Sequence, residues 1–323
     1  MRYLLFDDEN RANLLPLAYT RPIAEFRIGI LTIVEKWNRR MPNEAFFGGY
    51  VTETYLQGKY PLDIKEDQLW INSSVCPNDA LIQDILSLEM NESLFDEQEN
   101  IIAFRSGNFE DFIDCQKSYT NVAFTHVQNL WDIFSKNVIE LEADFELITR
   151  GRTSQQANST NNILGEENLF IEEGAVLNCA IINASNGPVY IGKDAEVMEG
   201  SIIRGPFALC EASQTKLGAK IYGPTTVGPY CKVGGELNNV VIFGYSNKGH
   251  DGFLGNSVIG EWCNIGADSN NSNLKNNYAE VRLWNYATGR FTDTGLQFCG
   301  LIMGDHSKCG INTMFNTGTV VGV

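Results

Sequence analysis

In the second half of the chain apolar residues recur at every sixth position, and that period excludes most folds. Ile191, Val197, Ile203 and Leu209 fall six apart, and Val227 and Val233 keep the frame. The frame moves by two and resumes at Ile259 and Ile265. It moves by two again before Met303, Cys309, Phe315 and Val321. Glycine follows the apolar residue at Gly192, Gly228, Gly234, Gly260, Gly266, Gly304 and Gly310. Four positions after the apolar residue the side chain is usually small, as in Ala195, Ser201, Ser213, Cys231, Cys263, Ser269 and Ser307, with Phe207 and Leu237 as departures. An α-helix repeats every 3.6 residues and a half-buried strand every two, so neither gives six. A chain that turns a corner at every sixth residue does. The apolar side chain fills the interior, the small one fits the bend, and glycine relieves the backbone. Coils of this kind stack into a parallel β-helix with a continuous core. The frame shifts bracket Gly244–Ser257 and Asn270–Gly300, so loops are expected to leave the coil there, where function usually sits.

Glycine also marks the division of the chain. Residues 1–150 hold 5 of the 30 glycines, and 25 of the 40 acids against 13 bases. Tyr3–Phe6 reads as a short buried strand. Apolar residues at helical spacing predict helices over Ile28–Arg40, over Ala80–Met90 after a Pro-Asn-Asp start, and over Trp131–Asn137. Strands alternating with helices predict an α/β domain with a doubly wound parallel sheet over 1–150. The Ser, Thr, Gln and Asn of Thr149–Asn162 predict an exposed linker, set at 151–168, with the β-helix over 169–323. Val323 falls in mid-repeat, so the native chain is expected to extend further.

The charge balance narrows the partners. A formal net charge of −16 argues against nucleic acid or an anionic membrane surface. The start, where Asp7, Asp8 and Glu9 follow Tyr3–Phe6, does not read as a signal peptide, and no apolar run approaches the ~20 residues of a membrane span. Eight cysteines without CxxC or zinc-finger spacing suit reduced thiols, so the expected location is cytoplasmic.

Of three histidines, His250 draws attention because it lies among glycines, in Lys248-Gly249-His250-Asp251-Gly252. His306 falls within a regular repeat at an outward position, and two histidines in the β-helix are too few for a three-histidine zinc site. Cys231, Cys263 and Cys309 occupy corner or interior positions and read as buried structural thiols. The stretch from Lys248-Gly249-His250 through Leu254-Gly255, Ile259-Gly260, Asn264-Ile265-Gly266-Ala267 and Asn273 resembles the acetyltransferase half of the bifunctional bacterial enzymes that make UDP-N-acetylglucosamine. The resemblance implies a left-handed β-helix, joined to a nucleotidyltransferase domain and assembled as a homotrimer. It also implies that His250 is the general base toward an aminosugar phosphate, with acetyl-CoA as co-substrate. Imidazole suits that task because its ordinary titration lies near neutral pH. By the same resemblance Asn264 and Asn273 lie around the sugar and thioester, and Ala267 lines the CoA site. The family's Asn-Tyr-Asp-Gly segment and following lysine are replaced here, leaving Lys275 or Arg282 to supply the cation. The segment from Val281 to Cys299 has no counterpart in the family.

Leu14 to Pro22 is similar, more remotely, to the opening of sugar-1-phosphate nucleotidyltransferases, which have a Rossmann-like α/β fold. The glycine-rich phosphate loop of that family is replaced by Phe6-Asp7-Asp8-Glu9-Asn10-Arg11, and its magnesium-binding aspartate by Ser74. Arg11, Arg21 and Arg27 remain as candidate phosphate contacts, and Asp79 as an alternative carboxylate for Mg2+. The expected function is acyl transfer from acetyl-CoA to an aminosugar 1-phosphate. The alternatives are sugar-1-phosphate nucleotidylyl transfer with UTP or dTTP, and a non-catalytic binding or assembly role.

Overall fold

The computed structural model describes residues 1–322, and the chain divides into two compact units. The first comprises Met1–Leu14, Thr20–Phe26 and Leu31–Gln128; the second takes Leu15–Tyr19, Arg27–Ile30 and everything from Asn129 onward.

The first unit is built on six strands: β1 (Arg2–Phe6), β2 (Phe46–Val51), β3 (Gln68–Asn72), β4 (Glu92–Phe95), β5 (Ile101–Ser106) and β6 (Gln116–Tyr119), in the order β2-β1-β3-β5-β4-β6. β1 runs parallel to β2 and β3, but β5 is antiparallel to both β3 and β4. The sheet is therefore mixed, where the sequence predicts a parallel one. A parallel return needs a crossover of a dozen residues or more, and only five separate β4 from β5. Asp96 closes that short turn by accepting from Gln98 N, Asn100 N and Asn100 Nδ2 at 2.7–2.9 Å. Leu4, Phe6, Trp70 and Phe104 form an aromatic core on one face of the sheet.

The first helix is shorter than its apolar spacing suggests. Helix α1 runs Ile33–Arg40, not from Ile28. Thr32 Oγ1 accepts from Glu35 N and Glu35 Oε2 accepts from Thr32 N, a reciprocal cap that fixes the start. Helix α2 (Asp79–Leu86) is capped by Asn78, whose Oδ1 accepts from Leu81 N at 2.9 Å.

The second unit is the β-helix. Short strands stack in parallel register on successive coils, and the inward residues Ile191, Val197, Ile203, Leu209, Ile221, Val227, Val233, Ile259, Ile265 and Met303 share one core. The small residues do more than fit. Ser213 Oγ donates to Gly228 O and accepts from Cys231 N, and Ser246 Oγ does the same with Gly260 O and Cys263 N. Each hydroxyl satisfies main-chain groups that the bend would otherwise leave unpaired. Helices α3 (Asp132–Ser135) and α4 (Asn137–Thr149) belong to this unit. Asn137 Nδ2 donates to Pro224 O and its Oδ1 accepts from Gly29 N. The polar stretch after α4 lies along the first coil: Gln155 N donates to Ile171 O, Ser154 Oγ accepts from Ile171 N, and Asn162–Leu164 pairs with Ile181–Asn183. Amides and hydroxyls there satisfy a ladder edge that would otherwise stay open.

The first frame shift is a contraction, and this corrects the expected loop at Gly244–Ser257. Gln214 pairs with Lys232, eighteen residues on; Lys232 pairs with Asn247, fifteen on; Asn247 pairs with Asn264, seventeen on. Two corners are trimmed and no loop departs, because Phe253–Glu261 stays in the ladder. Counting in sixes does not distinguish a gain of two from a loss of four. The second shift is an insertion: Asn264 pairs with Lys308, and the residues between include an antiparallel hairpin, Arg282–Asn285 with Arg290–Asp293.

One corner carries a ladder of rings. Tyr230, Tyr245, Trp262 and His306 all have φ of 52–60° and stack face to face, with centroids 5.4, 4.7 and 6.5 Å apart. Left-handed backbone costs a non-glycine residue roughly 1–2 kcal/mol, and each stacked pair returns about 0.5–1.5 kcal/mol. The two effects are of similar size, so the rings can stand where glycine or asparagine is usual. His306 is exposed there, at the outward position its repeat predicts.

Candidate functional site

The β-helix carries a cleft of about 400 Å³ lined by Lys216, Lys232, Asn247, Gly249, His250, Asn264, Ile265, Gly266, Ala267 and Ile311. Register explains the convergence. Gln214, Lys232, Asn247, Asn264 and Lys308 stand in one outward row across successive coils, each laterally paired with the next. The corner at Gly249–Gly252 keeps the four-residue length of Lys216–Ala219, whereas Gly234–Gly235 between them is trimmed, and it brings His250 beside that row. His250 is exposed, and no described residue hydrogen-bonds its ring. Lys216 Nζ donates to Gln214 Oε1 at 2.8 Å. Two ammonium groups, two carboxamides and an imidazole thus face one cleft in a chain of net charge −16. Such a set attracts an anion and offers one group able to take a proton.

Three of the residues singled out from sequence meet here: His250, Asn264 and Ala267. The other three do not line the cleft. Asn273 Nδ2 donates to Asn256 Oδ1. Lys275 Nζ donates to Glu280 O, and Arg282 pairs with Asp293 at 3.1 Å within the hairpin. Sequence reasoning missed Lys216, Lys232 and Asn247. The signal for Lys232 and Asn247 was their fifteen-residue spacing, legible only once the coil lengths are known.

A second cleft, of about 490 Å³, lies in the first unit at the carboxyl end of β1, where open α/β sheets usually bind ligands. Its floor is aromatic (Phe6, Phe95, Phe104, Phe109 and Phe112), and its polar groups are Asp7, Asp8, Glu9, Glu99, Asn10 and Asn100. Its lining holds neither lysine nor arginine, but Lys117 Nζ pairs with Glu99 Oε2 at 2.8 Å and stands 4.5 Å from the Phe95 ring centroid. Arg11 is turned to Asp7, with Nη1 2.6 Å from Oδ2 and 3.0 Å from Arg21 O. Asp7 also accepts from Thr52 Oγ1 and Ile23 N. Burial pushes the Asp7 carboxyl above the usual carboxylate range, against the opposing pull of Arg11 and these donors. Arg21 is buried, and Arg27 belongs to the second unit, where its guanidinium donates to Phe243 O and Ile30 O. The three arginines therefore do not converge on this cleft.

Two of the cleft's carboxylates are engaged by protein donors. Asp7 is committed as described, and Asp8 accepts from Asn10 N, Asn10 Nδ2 and Asn72 Nδ2. Among the described residues no three His, Cys, Asp or Glu side chains group as a metal site. Ser74 is buried, donates to Asn72 Oδ1 at 2.6 Å and lies 2.9 Å from His126 Nε2. Asp79 pairs with Arg40.

Removing the partner of buried Asp7 has a calculable consequence. Arg11→Ala is expected to lose about 3–5 kcal/mol in urea unfolding at pH 7, the usual effect of breaking a buried pair. A carboxyl raised in the folded state binds its proton before the unfolded chain does, so stability rises as pH falls toward 4. The deficit of the variant should therefore shrink from pH 7 to pH 4; a constant deficit would show that Asp7 is not its source.

Residues 3–153 match the family model described as sugar nucleotidyl transferase. No curated protein matches the chain. Among the described residues no helix is long and apolar enough to cross a membrane.

Proposed function

We propose that this chain, whose N-terminal region carries a sugar nucleotidyl transferase domain, serves sugar-nucleotide biosynthesis by transferring an acyl group from acetyl-CoA to an aminosugar 1-phosphate at the His250 cleft. The observation that carries this reading is the convergence of His250 with Lys216 and Lys232. The amine nitrogen attacks the thioester carbonyl and His250 takes the amine proton. The carbon–sulfur bond then breaks, and the imidazolium returns the proton to the departing thiolate. Lys216 and Lys232 offset the phosphate charge, and Asn247 and Asn264 offer hydrogen bonds to hydroxyls. Gly266 and Ala267 leave room for the pantetheine arm. Incubation with acetyl-CoA and glucosamine 1-phosphate should release free thiol in step with N-acetylated sugar phosphate. Thiol release at the rate of a protein-free control would end this reading for that acceptor.

The cleft lies on an outer face of the β-helix, half open to solvent. We expect two further copies to close it, as flat-sided coils favour cyclic assembly. Light scattering should then give about three times the 36.0 kDa chain mass, and a monomer would refute it.

The family match of residues 3–153 supports a second reading, in which nucleotidyl transfer is the main activity.

A further inference from the structure

The row of inward residues beneath the cleft contains one lysine. Leu177, Val197, Thr215 and Val233 precede it at equivalent positions, and Lys248 pairs laterally with Val233. It is 2% exposed, inside a core built mainly of apolar side chains with buried Ser and Thr hydroxyls among them. Its Nζ donates to the carbonyls of His250 at 2.6 Å, Asp251 at 3.2 Å and Gly234 at 3.2 Å. An ammonium has three N–H donors and no acceptor, and three carbonyl oxygens match that inventory. Burying a charge is costly, and an apolar residue would serve the core better. The three bonds go to the Gly249–Gly252 corner that presents His250 and to Gly234 in the coil below it.

We infer that Lys248 is a positioning residue, whose protonated ammonium pins the Gly249–Gly252 corner from inside the β-helix and so fixes the His250 imidazole over the cleft. The inference deepens the acyl-transfer reading, but its placement of His250 stands apart from any turnover. Burial lowers the Lys248 pKa from 10.5 to about 8, opposed by the charges of Asp251 and Asp268 and by Cys309, the titratable groups that face it. Deprotonation leaves two N–H donors for three carbonyls, so the pin weakens as pH rises through about 8. Stability moves the other way. The unfolded chain holds its lysine proton to a higher pH, so this group's contribution to folding rises between about pH 8 and 10.5.

Lys248→Met in the full chain tests this, since methionine fills the same space without donors. With ring-labelled histidine, NMR is expected to show the His250 signal shifted or broadened in the variant, with His126 and His306 unchanged and the melting temperature not lowered. The parent protein taken from pH 7 to 9 should develop the His250 change with no variant made, corrected against the exposed His306. Where acyl transfer is measurable, kcat should fall about 10–10²-fold with KM little changed, because a small misplacement of a catalytic group has that effect. An unaltered His250 signal in Lys248→Met would overturn the inference. So would a lower melting temperature with all three histidines perturbed, the signature of a merely structural residue. Absence of turnover in both proteins, with the His250 signal still displaced, would refute the acyl-transfer reading and keep the positioning role.

Discussion

His250→Ala is expected to lower acyl transfer by about 10²–10⁴-fold, the usual contribution of a general base. The ring is exposed and carries no hydrogen bond from described residues, so its loss should leave the circular dichroism and the melting temperature of the chain unchanged. Lys216, Lys232, Asn247 and Asn264, which we propose hold the acceptor, remain in place. KM should therefore change little, because the imidazole acts mainly in the transition state. Equal kcat in variant and parent would remove His250 from the chemistry. A raised KM at unchanged kcat would assign it to binding instead.

Nucleotidyl transfer by the N-terminal domain is expected to be absent or far below the ordinary enzyme range of about 1–10³ per second. The reaction brings two phosphate-bearing substrates together and needs donors, and usually a metal ion, to offset their charge. The cleft at the end of β1 presents Asp8 and Glu9 together with Asp7, which is paired with Arg11, and Glu99, which is paired with Lys117. Asp8 and Glu9 disfavour a phosphate placed beside them. The aromatic floor suits instead a flat or weakly polar ligand without phosphates at that position. A pyrophosphate-release assay with UTP and dTTP, each paired with several sugar 1-phosphates, decides the matter. Turnover within the ordinary range would overturn this expectation and favour the second reading.

Much of the β-helix was legible because its constraint is periodic. Period six states where the interior lies, and the inward residues from Ile191 to Met303 follow it into one core. The N-terminal sheet was less legible. Apolar spacing located α1 and α2 but ran α2 four residues too far, to Met90, and misplaced the start of α1, since the Thr32–Glu35 cap overrides an apolar face that continues upstream. The direction of β5 depended on a five-residue turn held by Asp96, whose spacing carries no periodic signal.

The candidate site divides along the same line. His250 could be picked out because a histidine among glycines is unusual in a coil of buried corners, and Asn264 and Ala267 followed from a family resemblance. Lys216, Lys232 and Asn247 were silent, because residues two or three coils apart become neighbours only when each coil's length is known. The amino-acid sequence by itself determined that the second half is a stacked coil, which residues fill it and where its pattern breaks. Tertiary structure alone decided that the first break is a contraction, that Arg11 and Arg27 serve the fold, and that Lys248 lies inside the coil. The physical reason is that period and composition are local properties of the chain. Contraction, burial of a charge and convergence on a cleft depend on which coil lies beside which, and hydrogen-bond register between coils sets that.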